Sequence, residues 1–277
     1  NILLVDDIPE TRESIKKLLA FEPDLKVIGT AGTGREGVKL AKELRPDIII
    51  MDVRMPVMGG LEAVEEIMHH HPTPVLVMTS DPRGDSGELS FEALRRGALD
   101  LVVKPSSWPV SPREREQIVQ NLKLLASVAV VKRHAPRRAA ANVPSATGCV
   151  LAPRRTPRAL GIASSTGGPA ALASLLGSLR SDYPTPILVV QHLAPDFAPR
   201  LASWLSAVAP LAVRLAREGD PLVPGVVLLA PDDAHLVVDR VTERVHLDSS
   251  GPLHGHRPSG TMLLRSLAQA FGPTASG

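Results

Sequence analysis

Three acidic side chains stand at the ends of apolar segments early in the chain. Asp6 and Asp7 follow the apolar run that starts at Ile2, and Asp52 ends the run IIIMD. Carboxylates that gather at one edge of a sheet raise one another's pKa unless a cation lies between them. Oxygen ligands of this kind suit Mg²⁺, which takes one or two carboxylates and keeps several waters. The pattern therefore predicts a Mg²⁺ site.

A hydroxyl group and an ammonium group follow the next two apolar runs. VLVMTS ends in Thr79 and Ser80, and LVVKP carries Lys104 before a proline. An aspartate that accepts a phosphoryl group needs a cation and a lysine to neutralise the phosphoryl oxygens, and a hydroxyl to bond one of them. The five side chains together match that requirement.

A second group of reactive side chains lies in the stretch IASSTGGPAAL, residues 162–172. It predicts a strand, a tight turn and a helix, with Pro169 in the first helical turn, where its missing N–H costs nothing. A serine at such a turn is exposed at the top of the sheet, as in the nucleophile elbow of hydrolases. The serines would equally serve as helix caps, so this stretch alone leaves both interpretations open.

A histidine follows the next apolar run, in LVVQHLAPDF. A serine hydroxyl needs an adjacent base before it attacks a carbonyl carbon. Because His192 and the serine turn end neighbouring predicted strands, we expect acyl-transfer chemistry between them. Further along, His235, His256, Arg257 and Ser259 are candidates to line a cleft, with loop structure as the alternative.

Strand-length apolar runs alternate with helical patterns in both halves of the chain. Five such repeats predict a flavodoxin-like (βα)5 domain over residues 1–125. The alternation returns in residues 158–277, which we predict to form a doubly wound parallel α/β domain that is incomplete. Between them we predict a linker, residues 126–157. The stretch 131–160 has seven Lys or Arg and no acidic residue, which indicates a solvated tether.

Composition disfavours several classes of protein. The 277 residues are 44% hydrophobic and 22% charged, and the net charge is only +2. With no helix-turn-helix after the linker, we expect no binding to nucleic acid. The single cysteine fits a reducing compartment, and neither a membrane span nor a secretory leader is evident. We therefore expect a cytoplasmic protein without membrane insertion, and both ends of this chain to be trimmed.

Residues 1–125 resemble the response-regulator receiver family through LLVDDIPE, IIIMDVRMP, VLVMTS and LVVKP. The resemblance implies that Asp52 is the phosphorylation site. It also implies that Asp6 and Asp7 are the Mg²⁺ pair, with Asp52 as a further ligand and the backbone carbonyl of Arg54 completing the shell.

The same resemblance assigns the phosphoryl contacts. Thr79 would sense the phosphoryl group and Lys104 would pair with it. The family often has an aromatic residue three positions before the lysine, and here that position is Leu101. Output is therefore expected to depend more on the Thr79 loop than on an aromatic switch.

Residues 157–277 resemble the CheB-type chemotaxis protein-glutamate methylesterases. The resemblance rests on STGGP, QHLAPDF, REGDPLVPGVVLLAPDDAHL and HRPS, and on the order of receiver, linker and esterase. It implies that Ser165 is the nucleophile and His192 its base. The turn residues expected to help hold the oxyanion are Thr166, Gly167 and Gly168. His256 and Arg257 are expected near the cleft.

The third member of the triad in that family is an aspartate in a glycine-rich segment, which we expect beyond Gly277. Asp232 and Asp233 are not substitutes, because the family uses their loop otherwise. HRPSGT also lacks the acidic residue that usually follows HRPS. We therefore expect a C-terminally truncated chain that is weakly active or inactive by itself.

The two resemblances imply a phosphorylation-regulated esterase. It would hydrolyse γ-glutamyl methyl esters on methyl-accepting chemotaxis receptors to glutamate and methanol, and some relatives also deamidate receptor glutamines. A chemotaxis-type histidine kinase would be its phosphodonor, and the esterase domain would need no cofactor. The alternative is a response regulator whose C-terminal half is a binding module without catalysis.

Overall fold

The computed structural model describes residues 1–80, 85–105, 107–130 and 156–277, without the side chains of 85–88 and 90. Most of the predicted linker, residues 131–155, lies outside the described residues. The fold class expected from the sequence is confirmed, because the chain forms two five-stranded parallel sheets with helices packed against them.

The first sheet has the strand order β2-β1-β3-β4-β5, and every pair in it is parallel. This is the flavodoxin-like order, in which the carboxyl ends of the strands form one edge that binds ligands. The strands are β1 (Ile2–Val5), β2 (Val27–Ala31), β3 (Ile48–Asp52), β4 (Val75–Thr79) and β5 (Asp100–Val103).

Alternate residues of the central strands pack into two different apolar clusters, one on each face. Leu3 and Ile49 belong to one cluster, whereas Ile2 and Ile48 belong to the other. Strands buried on both faces have continuous apolar runs, which explains why their bounds match the sequence pattern closely. The helices that follow the five strands are α1 (Pro9–Leu19), α2 (Gly34–Leu44), α3 (Gly60–His70), α4 (Asp85–Arg96) and α5 (Pro112–Ala126).

The second sheet has the order β12-β6-β7-β9-β8 and is also parallel throughout. Its strands are β6 (Ala159–Ser164), β7 (Ile187–Gln191), β8 (Ala212–Leu215), β9 (Val226–Leu229) and β12 (Ala275–Ser276). The helices packed against it are α6 (Gly168–Ser178), α7 (Ala198–Val208) and α8 (Gly260–Phe271).

Two further strands form a separate antiparallel hairpin instead of joining this sheet. They are β10 (His235–Val238) and β11 (Val245–Asp248). Asp239 turns the chain between them, because its carboxylate accepts hydrogen bonds from the backbone N–H groups of Val241 and Thr242. An Asx turn of this kind joins antiparallel neighbours directly, with no crossover helix.

The two halves of the chain share one apolar cluster. Phe91 of α4 lies 5.7 Å from Phe197 and 6.0 Å from Trp204 of α7, measured between ring centroids. These aromatic side chains are buried, so they hold the first sheet unit against the second. Within the described ranges, no helix is both long enough and apolar enough to cross a bilayer.

Candidate active sites

The carboxyl edge of the first sheet brings the three predicted carboxylates together. Each of Asp6, Asp7 and Asp52 offers an oxygen, and these atoms lie within 4.8 Å of one another. Asp6 and Asp52 are buried, while Asp7 is exposed. Asp7 and Asp52 border a cavity of about 470 Å³ that Thr79 and Lys104 also line.

Lys104 joins two of these carboxylates. Its Nζ lies 2.6 Å from Oδ2 of Asp6 and 2.8 Å from Oδ2 of Asp52. Burial raises the pKa of Asp52, and the hydrogen bond from Lys104 offsets this only in part. Burial alone would lower the pKa of Lys104, but the two carboxylates outweigh it and raise that pKa overall. The cluster thus holds a charged lysine beside carboxylates that keep excess negative charge.

The serine stretch forms the strand-turn-helix that its sequence predicts. β6 ends at Ser164, the turn contains Ser165, and α6 begins at Gly168, whose N–H donates to the Ser165 carbonyl at 2.8 Å. Gly167 has φ +73°, in the left-handed region that glycine adopts without strain. Ser165 is exposed, so its hydroxyl is open to an incoming group.

His192 lies beside this turn because β6 and β7 are neighbours. Ser164 pairs with Gln191 at the end of the parallel ladder, so Ser165 and His192 each follow the end of one of two adjacent strands. The backbone N–H of His192 also donates to the Ser164 carbonyl at 3.0 Å. The register therefore brings the two predicted catalytic residues to the same edge.

The His192 ring is packed on one side against a second histidine. It stacks on the His256 ring with centroids 4.1 Å apart and planes 4° apart. Burial, with the charge of His256, lowers the pKa of His192, and a hydrogen bond to the backbone of Pro258 opposes this. Among the described residues, no group bonds the buried Nε2. A neutral imidazole with a free nitrogen has the form that a general base requires.

The other polar candidates have structural contacts. His235 is fully buried; its Nδ1 accepts from the Ser259 N–H at 3.0 Å, so its Nε2 carries the proton and donates to the Gly251 carbonyl at 3.2 Å. Arg257 donates to the carbonyls of Ser249 and Ser250, both at 3.3 Å.

Comparison with known proteins supplies the family. Residues 2–110 match the family model of the response regulator receiver domain, and residues 160–277 match that of the CheB methylesterase. A Myxococcus xanthus protein named protein-glutamate methylesterase/protein-glutamine glutaminase 4 is 43% identical over 99% of this chain and 78% of its own length. The chain belongs to the CheB methylesterase family. An Anaeromyxobacter dehalogenans protein named protein-glutamate methylesterase/protein-glutamine glutaminase 3 is 42% identical over 100% of this chain and 80% of its length.

Two solved structures from Thermotoga maritima are each similar to less than half of this chain. The CheB methylesterase catalytic domain is 33% identical with a TM-score of 0.42, covering 44% of this chain and 65% of that one. The response regulator domain of CheB is 34% identical with a TM-score of 0.41, covering 46% of this chain and 96% of that one.

The receiver contacts the serine turn through residues that the sequence did not single out. Asp100, at the start of β5, accepts a hydrogen bond from the Gly167 N–H at 2.7 Å. Asn121 of α5 accepts one from the Thr166 hydroxyl at 2.5 Å. Burial raises the pKa of Asp100 to about 6. An aspartate at a strand start has no distinctive local signal, so only the packing of the two halves reveals this contact.

Proposed function

We propose that this protein is a phosphorylation-regulated protein-glutamate methylesterase. It hydrolyses γ-glutamyl methyl esters on methyl-accepting chemotaxis receptors, and it deamidates receptor glutamines by the same acyl transfer. We assign residues 1–125 to the receiver, 126–157 to the linker and 158–277 to the catalytic domain, and we place the protein in the cytoplasm. The observation that supports the proposal is the β6–β7 register, in which Ser164 pairs with Gln191, so that Ser165 and His192 follow at the same edge of the sheet.

The first half of the reaction forms an acyl-enzyme. The Ser165 oxygen attacks the γ-carbonyl carbon of the ester while His192 Nε2 takes the hydroxyl proton. Backbone N–H groups of the turn that contains Thr166 and Gly167 stabilise the oxyanion that forms. The tetrahedral intermediate then expels the methoxy group, which takes the proton from His192 and leaves as methanol.

Water completes the cycle. His192 takes a proton from a water molecule, whose oxygen attacks the acyl carbon, and Ser165 leaves with the proton returned by His192. The product is a receptor glutamate. A glutamine substrate follows the same steps and releases ammonia in place of methanol. An aspartate beyond Gly277, which the family resemblance implies, would orient the imidazole.

Two adjacent serines provide a matched test. In the complete protein, Ser165→Ala should lower methanol release from methylated receptors by about 10⁴-fold or more, because it removes the nucleophile. Ser164→Ala should keep more than about a tenth of the activity, since its hydroxyl bonds Gln191 and not the substrate. Unchanged hydrolysis by the Ser165 variant would favour a non-catalytic binding module.

The receiver site is proposed to accept a phosphoryl group on Asp52 from a chemotaxis-type histidine kinase. Asp6, Asp7 and Asp52 fit Mg²⁺, because three carboxylates and one ammonium leave a net charge of about −2 within a few ångströms. When bound, this cation would neutralise phosphoryl oxygens. Lys104 would pair with the same oxygens, and the Thr79 hydroxyl would donate to one of them.

Phosphorylation is proposed to act on the contacts between the receiver and the serine turn. Lys104 follows the strand that begins with Asp100, so a change at Asp52 has a short path to the Gly167 contact. In the arrangement described here, Asp100 occupies an N–H of the turn. A phosphoryl group on Asp52 favours release of the receiver from the serine turn only if it makes more favourable contacts in the released arrangement than in the docked one.

The assignment of Asp52 is tested with a small phosphodonor. Wild-type protein given acetyl phosphate and Mg²⁺ should acquire an acyl-phosphate label and release methanol faster. Asp52→Asn should do neither, whereas Glu62→Gln, an exposed change on α3, should behave as wild type. A label retained by the Asp52 variant would contradict the assignment.

A further inference from the structure

The side chain of Gln191 lies between the proposed nucleophile and the proposed base. Gln191 ends β7 and is 5% exposed. Its Oε1 accepts a hydrogen bond from the Ser164 hydroxyl at 2.6 Å. Its Nε2 donates to the carbonyl of Ser165 at 2.8 Å and to the carbonyl of His192 at 2.9 Å. One buried amide thus joins the backbones of both functional residues.

These contacts use both N–H donors of the amide and its oxygen. The Ser165 carbonyl also accepts from the Gly168 N–H, so it is held from two directions. Fixing a carbonyl fixes the orientation of the peptide that follows its residue, and with it the direction of the neighbouring side chains. In addition to the pairing of the two strands, the Gln191 amide therefore links the backbone orientation of the serine turn to that of His192.

The second glycine of STGGP makes room for this amide. A Cβ on Gly168 would lie 1.8 Å from Oε1, 2.7 Å from Cδ and 2.9 Å from Nε2 of Gln191. Gly168 has no positive φ, unlike Gly167, so its conformation does not demand glycine. The close approach of Gln191 is what excludes a side chain at that position.

We propose that Gln191 is a positioning residue for acyl transfer, which sets the Ser165 hydroxyl against His192 Nε2. This inference rests on the proposed function, because it presupposes those two roles. A displacement of about 1 Å between reacting groups costs on the order of 10²-fold in rate. A residue that controls this distance acts on kcat and leaves substrate binding nearly unchanged.

The test compares Gln191→Met with a matched variant in the complete protein. Gln191→Met keeps a long side chain but removes all three hydrogen bonds. Thr185→Val is the control: Thr185 is also buried, and its hydroxyl donates to a backbone carbonyl, that of Pro157, at the other end of β7. Both variants lose buried hydrogen bonds, but only the first loses them beside the reacting groups.

The expected result is a kcat for Gln191→Met about 10- to 100-fold below wild type, with KM within about threefold. Labelling of Ser165 by a small fluorophosphonate should slow in parallel. Thr185→Val should have a kcat within about twofold of the wild-type value, even if its melting temperature falls as far as that of Gln191→Met. Equal kcat values for the two variants would overturn the proposal and reduce Gln191 to a structural residue.

Two further outcomes remain decisive. If Gln191→Met does not fold, Gln191→Glu replaces it. Burial against two carbonyl oxygens favours its neutral acid, which has one O–H donor for the two carbonyls in place of two N–H donors. The same kcat criterion then applies to it. If wild-type protein and Ser165→Ala hydrolyse the ester equally, the proposed function fails. If only Ser165→Ala is inactive and the Gln191 variants are not, this inference fails alone.

Discussion

Two glycines of the same helix should respond to alanine with opposite signs. Gly168 begins α6, and a Cβ there would have to clear the Gln191 amide by moving it about 1.2 Å, since Cβ atoms essentially never come within 3.0 Å of another heavy atom. Hydrogen bonds of 2.6 to 2.9 Å do not survive such a displacement. Gly168→Ala therefore introduces strain and breaks the amide contacts together.

The free energies follow from these contacts. Strain from an added methyl group in a packed site costs about 1–3 kcal/mol, and each lost hydrogen bond about 1 kcal/mol. Because all three amide hydrogen bonds are lost in addition to the strain, we expect Gly168→Ala to lower the free energy of unfolding by about 4–6 kcal/mol. Gly177 is exposed near the end of α6, and its added Cβ would meet only the Val208 carbonyl at an ordinary 3.5 Å. Alanine there should stabilise the helix by up to about 1 kcal/mol.

Thermal unfolding and methanol release measure both effects. A change of 1 kcal/mol in the free energy of unfolding moves the melting temperature of a protein of this chain's length by roughly 2–4 °C. Gly168→Ala should thus melt about 8–24 °C below wild type with reduced kcat, and Gly177→Ala a few degrees above it with normal kcat. A Gly168 variant as stable and as active as the Gly177 variant would refute the packing described for Gln191.

Two predictions concern pH. Burial raises the pKa of Asp100 from 3.8 to about 6. The folded protein therefore keeps this proton to higher pH than the unfolded chain does. As a result, the free energy of unfolding falls as the pH rises from about 4 to 6. In urea unfolding, the free energy of unfolding of the wild type should fall by about 1.4 kcal/mol more than that of Asp100→Ala between pH 5 and pH 7.5. An equal fall in both proteins would contradict the burial of this carboxylate. His192 must be neutral to act as a base, and burial with the charge of His256 lowers its pKa. In His256→Ala the acid limb of the kcat/KM profile should move to higher pH, and an unmoved limb would show that the stacked ring has no influence.

Much of the architecture was predictable because burial on both faces imposes a simple pattern. The apolar run at Ile48–Ile50 can only be a buried strand or helix segment, and its length and flanking residues favour the strand. The carboxyl ends of parallel strands meet at one edge, so Asp6, Asp52 and Lys104 were expected together. The Lys104 Nζ lies within 2.8 Å of a carboxylate oxygen of each aspartate. The antiparallel β10–β11 hairpin was not expected as a separate unit, because strand runs alone do not reveal their partners.

The sequence by itself determined the α/β class, the strand ends that carry polar side chains, and the serine turn before Pro169. Those features depend on periodicity and on turn chemistry, which are local. Only the tertiary structure decided that Gln191 clamps the turn and that Asp100 reaches Gly167 across 67 positions of chain. A buried amide or carboxylate carries no local mark of its partner, since the bond depends on strand order and on the packing of the two halves of the chain against each other. The motifs therefore identified the reactive side chains, whereas the groups that position those side chains were identified only from the tertiary structure.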